Sequence, residues 1–240
     1  MFLIIQTGDP VPRAHAIGDF ASWFIQGMRL DGTQVTTVDV HKGAVLPAFD
    51  SQNWTAVIVT GSAYMITEHL VWMNQTQQWL AKAFEAGVPT LGVCFGHQLI
   101  ADMLGGQVGY NSLGRHMGIS RFTLNQAGQQ DPILGSLSPS HTFNTLVSHQ
   151  QHVISLPDHV TLLGSCDQDS NHAFRYKTHV WGVQFHPEWS QKIMQIYIEE
   201  REDALLKEGF NPASMIAQLE RCEEAGSLLK QFAEFALQQK

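Results

Sequence analysis

Cys94 stands between two glycines in the run Gly92-Val93-Cys94-Phe95-Gly96, after the apolar stretch Val88 to Val93 and ahead of the helical pattern His97 to Leu104. A G-x-C-x-G sequence at a strand-to-helix junction has the layout of a nucleophile elbow, where small flanking residues permit a sharp turn that lifts the nucleophile clear of the backbone. At a helix start, unpaired N–H groups and the helix dipole favour the thiolate, the form that attacks. With 20 Gly and 3 Cys in the chain, chance supplies this pattern ~0.02 times, so the elbow outweighs the alternative of a buried structural cysteine. A base for the thiol is offered by His186 in Val183-Gln184-Phe185-His186-Pro187-Glu188, at the end of a strand-like run that begins near His179. A neutral imidazole can take the thiol proton and return it to a leaving amine. Glu188, two residues on and on the same strand face, can accept the other ring N–H and hold the tautomer. Pro187 between them cannot donate to a sheet ladder and stiffens the segment that presents both side chains.

Three segments occur in an order that resembles class I (triad-type) glutamine amidotransferases: Val57-Ile58-Val59-Thr60-Gly61-Ser62, Gly92 to Gln98, and Gly182 to Glu188. The likeness is nearest to the glutaminase domain of GMP synthase and its stand-alone relatives. It implies that Cys94 attacks the side-chain amide of glutamine, that His186 is the acid/base and that Glu188 orients it, with glutamate and ammonia as products. The oxyanion would be met by the N–H of Phe95, the residue after the nucleophile, and by the N–H of Ser62 in the loop after the preceding strand. That loop usually reads Gly-Gly-Pro in the family. Here Ser62 replaces the second glycine and Ala63 the proline, and a residue with a Cβ tolerates positive φ less well than glycine does. The resemblance further implies substrate contacts from Gly61, Gln98, Ser148 and His149. Gln98 lies one helical turn beyond Cys94. Ser148-His149 is followed in the family by an aspartate, for which this chain has Gln151, so the usual carboxylate partner of a substrate ammonium is missing.

Other residues narrow the field. The 12 histidines include His149 and His152, but neither has a Cys or carboxylate beside it at a recognised ligand spacing, and no metal is expected. The amide chemistry needs no cofactor. Cys166 and Cys222 fall outside any C-x-x-C arrangement, which points to a reducing cytoplasm and not to a disulfide framework. The apolar start Met1 to Ile5 is short, lacks a basic n-region and reads as a first strand. No apolar run reaches membrane-spanning length. A net charge of −8, with scattered bases, argues against nucleic acid as a partner.

The elements that must position these groups follow from periodicity. Strand-like runs at Met1–Ile5, Gln34–Val40, Thr55–Thr60 and Val88–Val93 alternate with helical patterns at about 16–29, 70–86 and 97–104. This alternation predicts an α/β fold: an open, mostly parallel, flavodoxin-like sheet with helices on both faces and catalytic loops at the strands' carboxyl ends. Residues 105–184 break into shorter strand pieces that complete the sheet in mixed orientation. Ser190 caps a helix to Lys207, and Asn211-Pro212 opens a final helix toward Leu237. The expected division is an amidotransferase domain over 1–207 and a helical extension over 208–240, packed on it, capping the site or contacting a second protein chain. A synthetase domain and a glycine-rich phosphate loop are both missing, so ammonia would pass to a separate synthetase subunit. Otherwise the chain works alone, as a glutaminase or as a hydrolase of other γ-glutamyl amides. A peptidase or chaperone of the wider superfamily and a catalytically idle binding module are the rival readings.

Overall fold

The computed structural model describes residues 1–239. Its first half is a run of parallel strands and covering helices. These are β1 (Phe2–Gln6), α1 (Phe20–Met28), β2 (Val35–Asp39), β3 (Ala56–Val59), α2 (Val71–Glu85), β4 (Thr90–Val93) and α3 (Phe95–Met103). Every residue of β1, β3 and β4 is buried, as expected of parallel strands with both faces covered by helices. The second half contributes β5 (Gln107–Tyr110), β6 (His116–Leu124), α4 (Gln126–Gln129), β7 (Thr142–His149), β8 (Gln151–Ser155), β9 (Val160–Cys166), β10 (Asp169–Tyr176) and β11 (Val180–Val183). Four helices follow: α5 (Gln191–Glu200), α6 (Glu202–Lys207), α7 (Pro212–Ala217) and α8 (Glu223–Gln238).

Among the described residues these strands form a nine-stranded sheet ordered β2-β1-β3-β4-β11-β10-β9-β6-β7, and a separate β5-β8 ribbon. The strands β2, β1, β3, β4 and β11 pair in parallel, and the rest of the sheet is antiparallel. The register of β4 against β11 sets Val93 opposite Val183, so the residues that follow each strand emerge side by side at the carboxyl edge. Helix α2 presents Met73, Thr76, Leu80, Ala83 and Phe84 to the sheet, the i, i+3, i+4, i+7 stripe of a half-buried helix. No helix among the described residues is long and apolar enough to cross a membrane.

Three helix boundaries differ from the periodicity reading. The first helix begins at Phe20, not near 16. A 3₁₀ turn over Pro12–Ile17 precedes it, and Asp19 caps it by accepting from the Ser22 N–H at 2.8 Å. Ser190 does cap α5, but the helix stops at Glu200 and restarts as α6, because Arg201 takes a non-helical backbone. The last segment is likewise two helices. Glu223 and Glu224 sit in the first turn of α8, where the helix dipole favours acids. That helix buries Ala225, Leu228, Leu229, Phe232, Ala233 and Ala236 in the same core as β1 and α1. Its Phe232 and Phe235 meet Trp181 of β11 edge-on, with centroids 6.2 and 5.1 Å apart.

Candidate active site

The end of β4 turns into α3 at Cys94, whose φ of 52° and ψ of −102° place a non-glycine residue at positive φ. Such a conformation costs about 1–3 kcal/mol and persists only where neighbours impose it. Here they do. The Cys94 N–H donates to the Val183 carbonyl (2.9 Å) and the Gly96 N–H to the Thr60 carbonyl (3.1 Å), which pins the elbow to β11 and to the end of β3. The two glycines answer a steric demand. A Cβ on Gly92 would lie 2.5 Å from the Gly96 carbonyl oxygen, and one on Gly96 would lie 2.2 Å from that of Val59.

His186 and Glu188 arrive on the loop after β11. The His186 N–H donates to the Leu146 carbonyl at 2.8 Å, and the ring Nδ1–H donates to Glu188 Oε1 at 2.7 Å. Both side chains are buried. Burial by itself would depress the imidazole's pKa, but the Glu188 carboxylate and the Cys94 sulfur beside it raise it to about 10. His186 is thus held as the imidazolium beside the Cys94 sulfur at neutral pH. Trp189 lies flat against the His186 ring, 3.8 Å between centroids and 10° between planes. No motif singles it out. Its position directly after His-Pro-Glu is the available signal, since an indole face is a natural clamp for an imidazole.

The remaining expected residues fall into two groups. The N–H groups of Ser62 and Phe95 engage no acceptor among the described residues, and both residues border the space beside Cys94. Ser62 is not among the residues at positive φ, so its Cβ meets no backbone penalty. Its hydroxyl donates to the Thr7 carbonyl (2.6 Å) and accepts from the Tyr64 N–H (3.1 Å), which ties the loop down. Gly61, expected as a substrate contact, stands beside the His186 ring. It lines neither cavity next to Cys94, and a Cβ there would lie 3.0 Å from His186 Cε1, so its smallness makes room for the imidazole.

Two cavities meet at Cys94 and share Ser62, Ala63, Ser148 and Arg201 as walls. The first, of about 190 Å³, is polar and adds Gln98, Arg115, His149 and Gln151. The Gln98 NH₂ group donates to the Gln151 carbonyl (2.7 Å) and to Gln184 Oε1 (2.9 Å), so its own Oε1 is left as an acceptor. Gln151 donates from Nε2 to Thr67 Oγ1 (2.7 Å), while its Oε1 is buried with no partner. Ser148 offers its carbonyl, 4.0 Å from Cys94 Sγ. Arg115 is held by Glu208 through two bonds of 2.8 and 2.9 Å, and Arg201 has a buried, unpartnered Nη1. Sequence reasoning misses both arginines, which lie far from any motif. The second cavity, of about 250 Å³, lies on the His186 side and is walled by Val11, Pro12, Phe20, Trp189 and Tyr197.

Beneath the polar cavity the fold supplies the carboxylate that sequence spacing does not place near the histidines. Ligand-type atoms of His149, Asp169 and His172 lie within 4.8 Å of one another, all three residues buried. His172 Nδ1–H donates to Asp169 Oδ2 at 2.9 Å, and Cys166 Sγ is 3.6 Å from the same nitrogen. Burial opposes both charges. Nevertheless, the nearby His152 ring, 3.6 Å away, and the hydrogen bond from His172 hold the Asp169 carboxyl well below the usual range, and Asp169 and Cys166 raise His172 to about 9. The pair therefore stabilises the fold fully between the ordinary carboxylate pKa and pH 6.5. It loses that contribution below this window as Asp169 protonates, and above it as His172 deprotonates through about 9. Asp169→Asn should cost about 3 kcal/mol near pH 6, since it strands a buried imidazolium, and much less at pH 9.5. Urea unfolding at the two pH values checks this, and an equal deficit at both would disprove it. His149 is pushed well below its ordinary pKa, first by burial and then by His116 and His172, and its Nδ1–H donates to the Gln151 carbonyl at 2.9 Å.

Residues 17–202 match the family described as Glutamine amidotransferase class-I. Gamma-glutamyl peptidase 5 of Arabidopsis thaliana is 28% identical over 193 residues, 80% of this chain and 76% of that protein. A glutamine-hydrolyzing GMP synthase subunit of Saccharolobus solfataricus is 28% identical over 71% of this chain and 85% of its own. Among solved structures, a glutamine amidotransferase from Thermotoga maritima superposes with a TM-score of 0.77 at 21% identity, covering 99% of this chain and 98% of that one.

Proposed function

This chain belongs to the class-I glutamine amidotransferase family, and from that premise we propose that it hydrolyses the side-chain amide of a γ-glutamyl donor, of which glutamine is the smallest, through a thioester on Cys94. The observation that supports this reading most is the junction at Cys94. A strained nucleophile elbow, a buried His186–Glu188 pair at 2.7 Å and two uncommitted N–H groups converge at the mouth of a polar cavity. In the proposed course the Cys94 thiolate adds to the γ-carbonyl, and the N–H groups of Ser62 and Phe95 receive the oxyanion. His186 gives its proton to the departing nitrogen, then takes one from the water that cleaves the thioester. The glutamyl head fits the polar cavity by charge. Arg115 and Arg201 face its α-carboxylate, and the Oε1 atoms of Gln98 and Gln151 accept from its α-ammonium.

Whether the released nitrogen is passed on is a matter of partners. The GMP synthase relatives suggest a separate synthetase subunit, whereas the γ-glutamyl peptidase relatives suggest hydrolysis as an end in itself. The test is direct. Purified protein should release equimolar glutamate and amine from L-glutamine or from a γ-glutamyl amide, and an electrophilic glutamine analogue should label Cys94 once per chain. Absence of both turnover and labelling would overturn the proposal in favour of a binding module.

A further inference from the structure

Resting on the γ-glutamyl reading above, we propose that the second cavity is a subsite for the leaving amine, and that it selects donors whose amine carries an apolar ring, such as a benzyl or phenethyl group. The direction follows from proton transfer. His186 must protonate the departing nitrogen, so that nitrogen faces His186 while the glutamyl head occupies the polar cavity beyond Cys94. A substituent on the nitrogen then points into the cavity that His186 helps to wall. Ammonia leaves that space almost empty, because about 250 Å³ is several times the ~30 Å³ share of one water molecule.

The walls define the amine's chemistry. Phe20, Trp189 and Tyr197 are buried aromatic side chains that with Val11 and Pro12 form an apolar wall, facing the Ser62, Ser148 and Arg201 wall shared with the polar cavity. Trp189 stacks on His186 and is in turn 4.2 Å from Tyr197, between ring centroids, at a tilt of 41°. A ring on the leaving amine would extend this aromatic series at stacking distance from the imidazole that protonates it. The one acid on the rim, Asp9, is already paired with Lys42 at 2.7 Å, so a cationic substituent finds no unpaired carboxylate there. The contrast with the polar cavity, to which Arg115, Gln98 and Gln151 belong alone, divides the site into a head that reads the glutamyl group and a chamber that reads what is attached to it.

The step balances without a further reactant. A sulfur–carbon bond forms between Cys94 and the γ-carbon, the carbon–nitrogen bond breaks, and the His186 proton goes to the amine, which leaves neutral. Water then replaces sulfur, giving glutamate and returning the proton to His186.

The experiment compares kcat/KM for L-glutamine, γ-glutamyl-methylamide and γ-glutamyl-benzylamide, and repeats the series in Val11→Trp. Val11 is partly exposed on an extended segment ahead of Pro12, where a larger side chain fits the backbone and projects into the chamber. The benzylamide should exceed the methylamide by at least tenfold, the discrimination that burying several methylene equivalents affords. Val11→Trp should lower the benzylamide-to-glutamine ratio at least tenfold. A measurement that needs no variant is aminolysis of the thioester: wild-type protein turning over glutamine should form γ-glutamyl-benzylamide from added benzylamine more readily than γ-glutamyl-methylamide from equal free methylamine. If the benzylamide is no better than the methylamide and benzylamine traps no better, the chamber proposal is overturned while the γ-glutamyl reading stands on glutamine turnover. If no donor is cleaved and Cys94 resists labelling, both fall.

Discussion

Cys94→Ala is expected to lower kcat/KM for a γ-glutamyl donor by on the order of 10³-fold or more, with the fold intact. The size follows from what is removed. Without sulfur no thioester forms, and the remaining contributions are those of donor binding and the two N–H groups, which in triad hydrolases sustain only a small residue of the rate. Alanine keeps the elbow's steric requirements, because the positive φ at this position is imposed by hydrogen bonds to Val183 and Thr60 from backbone groups of residues 94 and 96. Thermal unfolding should therefore stay close to wild type, and donor binding, read by calorimetry, should survive. A variant that keeps more than a tenth of the wild-type rate would show that another group is the nucleophile.

The second large effect is that of Glu188→Gln, for which a fall of about 10²–10⁴-fold in kcat is expected. Glu188 Oε1 accepts the Nδ1–H of His186 and so leaves Nε2 for the thiol. A glutamine can present its NH₂ group instead, which favours the opposite tautomer. It also removes the charge that, with the Cys94 sulfur, raises the His186 pKa to about 10. The alkaline limb of the pH–rate profile should therefore move to lower pH. The stability consequence has the same origin. A histidine raised from 6.5 to about 10 stabilises the fold below pH 6.5 and ceases to do so as pH rises through about 10. The deficit in Glu188→Gln should accordingly be greatest at or below neutral pH and vanish in strong alkali. A normal kcat in this variant would remove Glu188 from the proposed course.

How much of this is legible in the sequence depends on distance along the chain. Cys94, His186 and Glu188 belong to short motifs at strand ends, where local turn chemistry fixes geometry, and they follow the adjacent strands β4 and β11. Their partners across the fold leave no local trace. Periodicity puts Arg201 inside one long helix, yet it is the residue at which that helix breaks, and the break accompanies its place at the junction of the two cavities. Arg115 lies just ahead of β6, and no spacing ties it to the elbow. Asp169 and His172 become neighbours of His149 only when antiparallel strands from the second half of the chain complete the sheet. Gly61 is legible as a residue that matters but not as the reason, because making room for the His186 ring is a contact between elements 125 positions apart. The parallel half is readable for the opposite reason: β1, β3 and β4 are continuous apolar runs separated by helices, and their burial is written in each run alone.

Gln151, a neutral amide with an unpartnered Oε1, limits what protons can do to this site. The groups proposed to hold the glutamyl head are two amide oxygens and two guanidinium groups, and the neighbouring His149 is kept neutral by burial. None of them exchanges a proton between weakly acid and neutral pH. Recognition of the donor is in that range blind to acidity, and His186, raised to about 10, keeps its proton throughout it. A fall from neutral to weakly acid pH would leave the hold on the substrate unchanged.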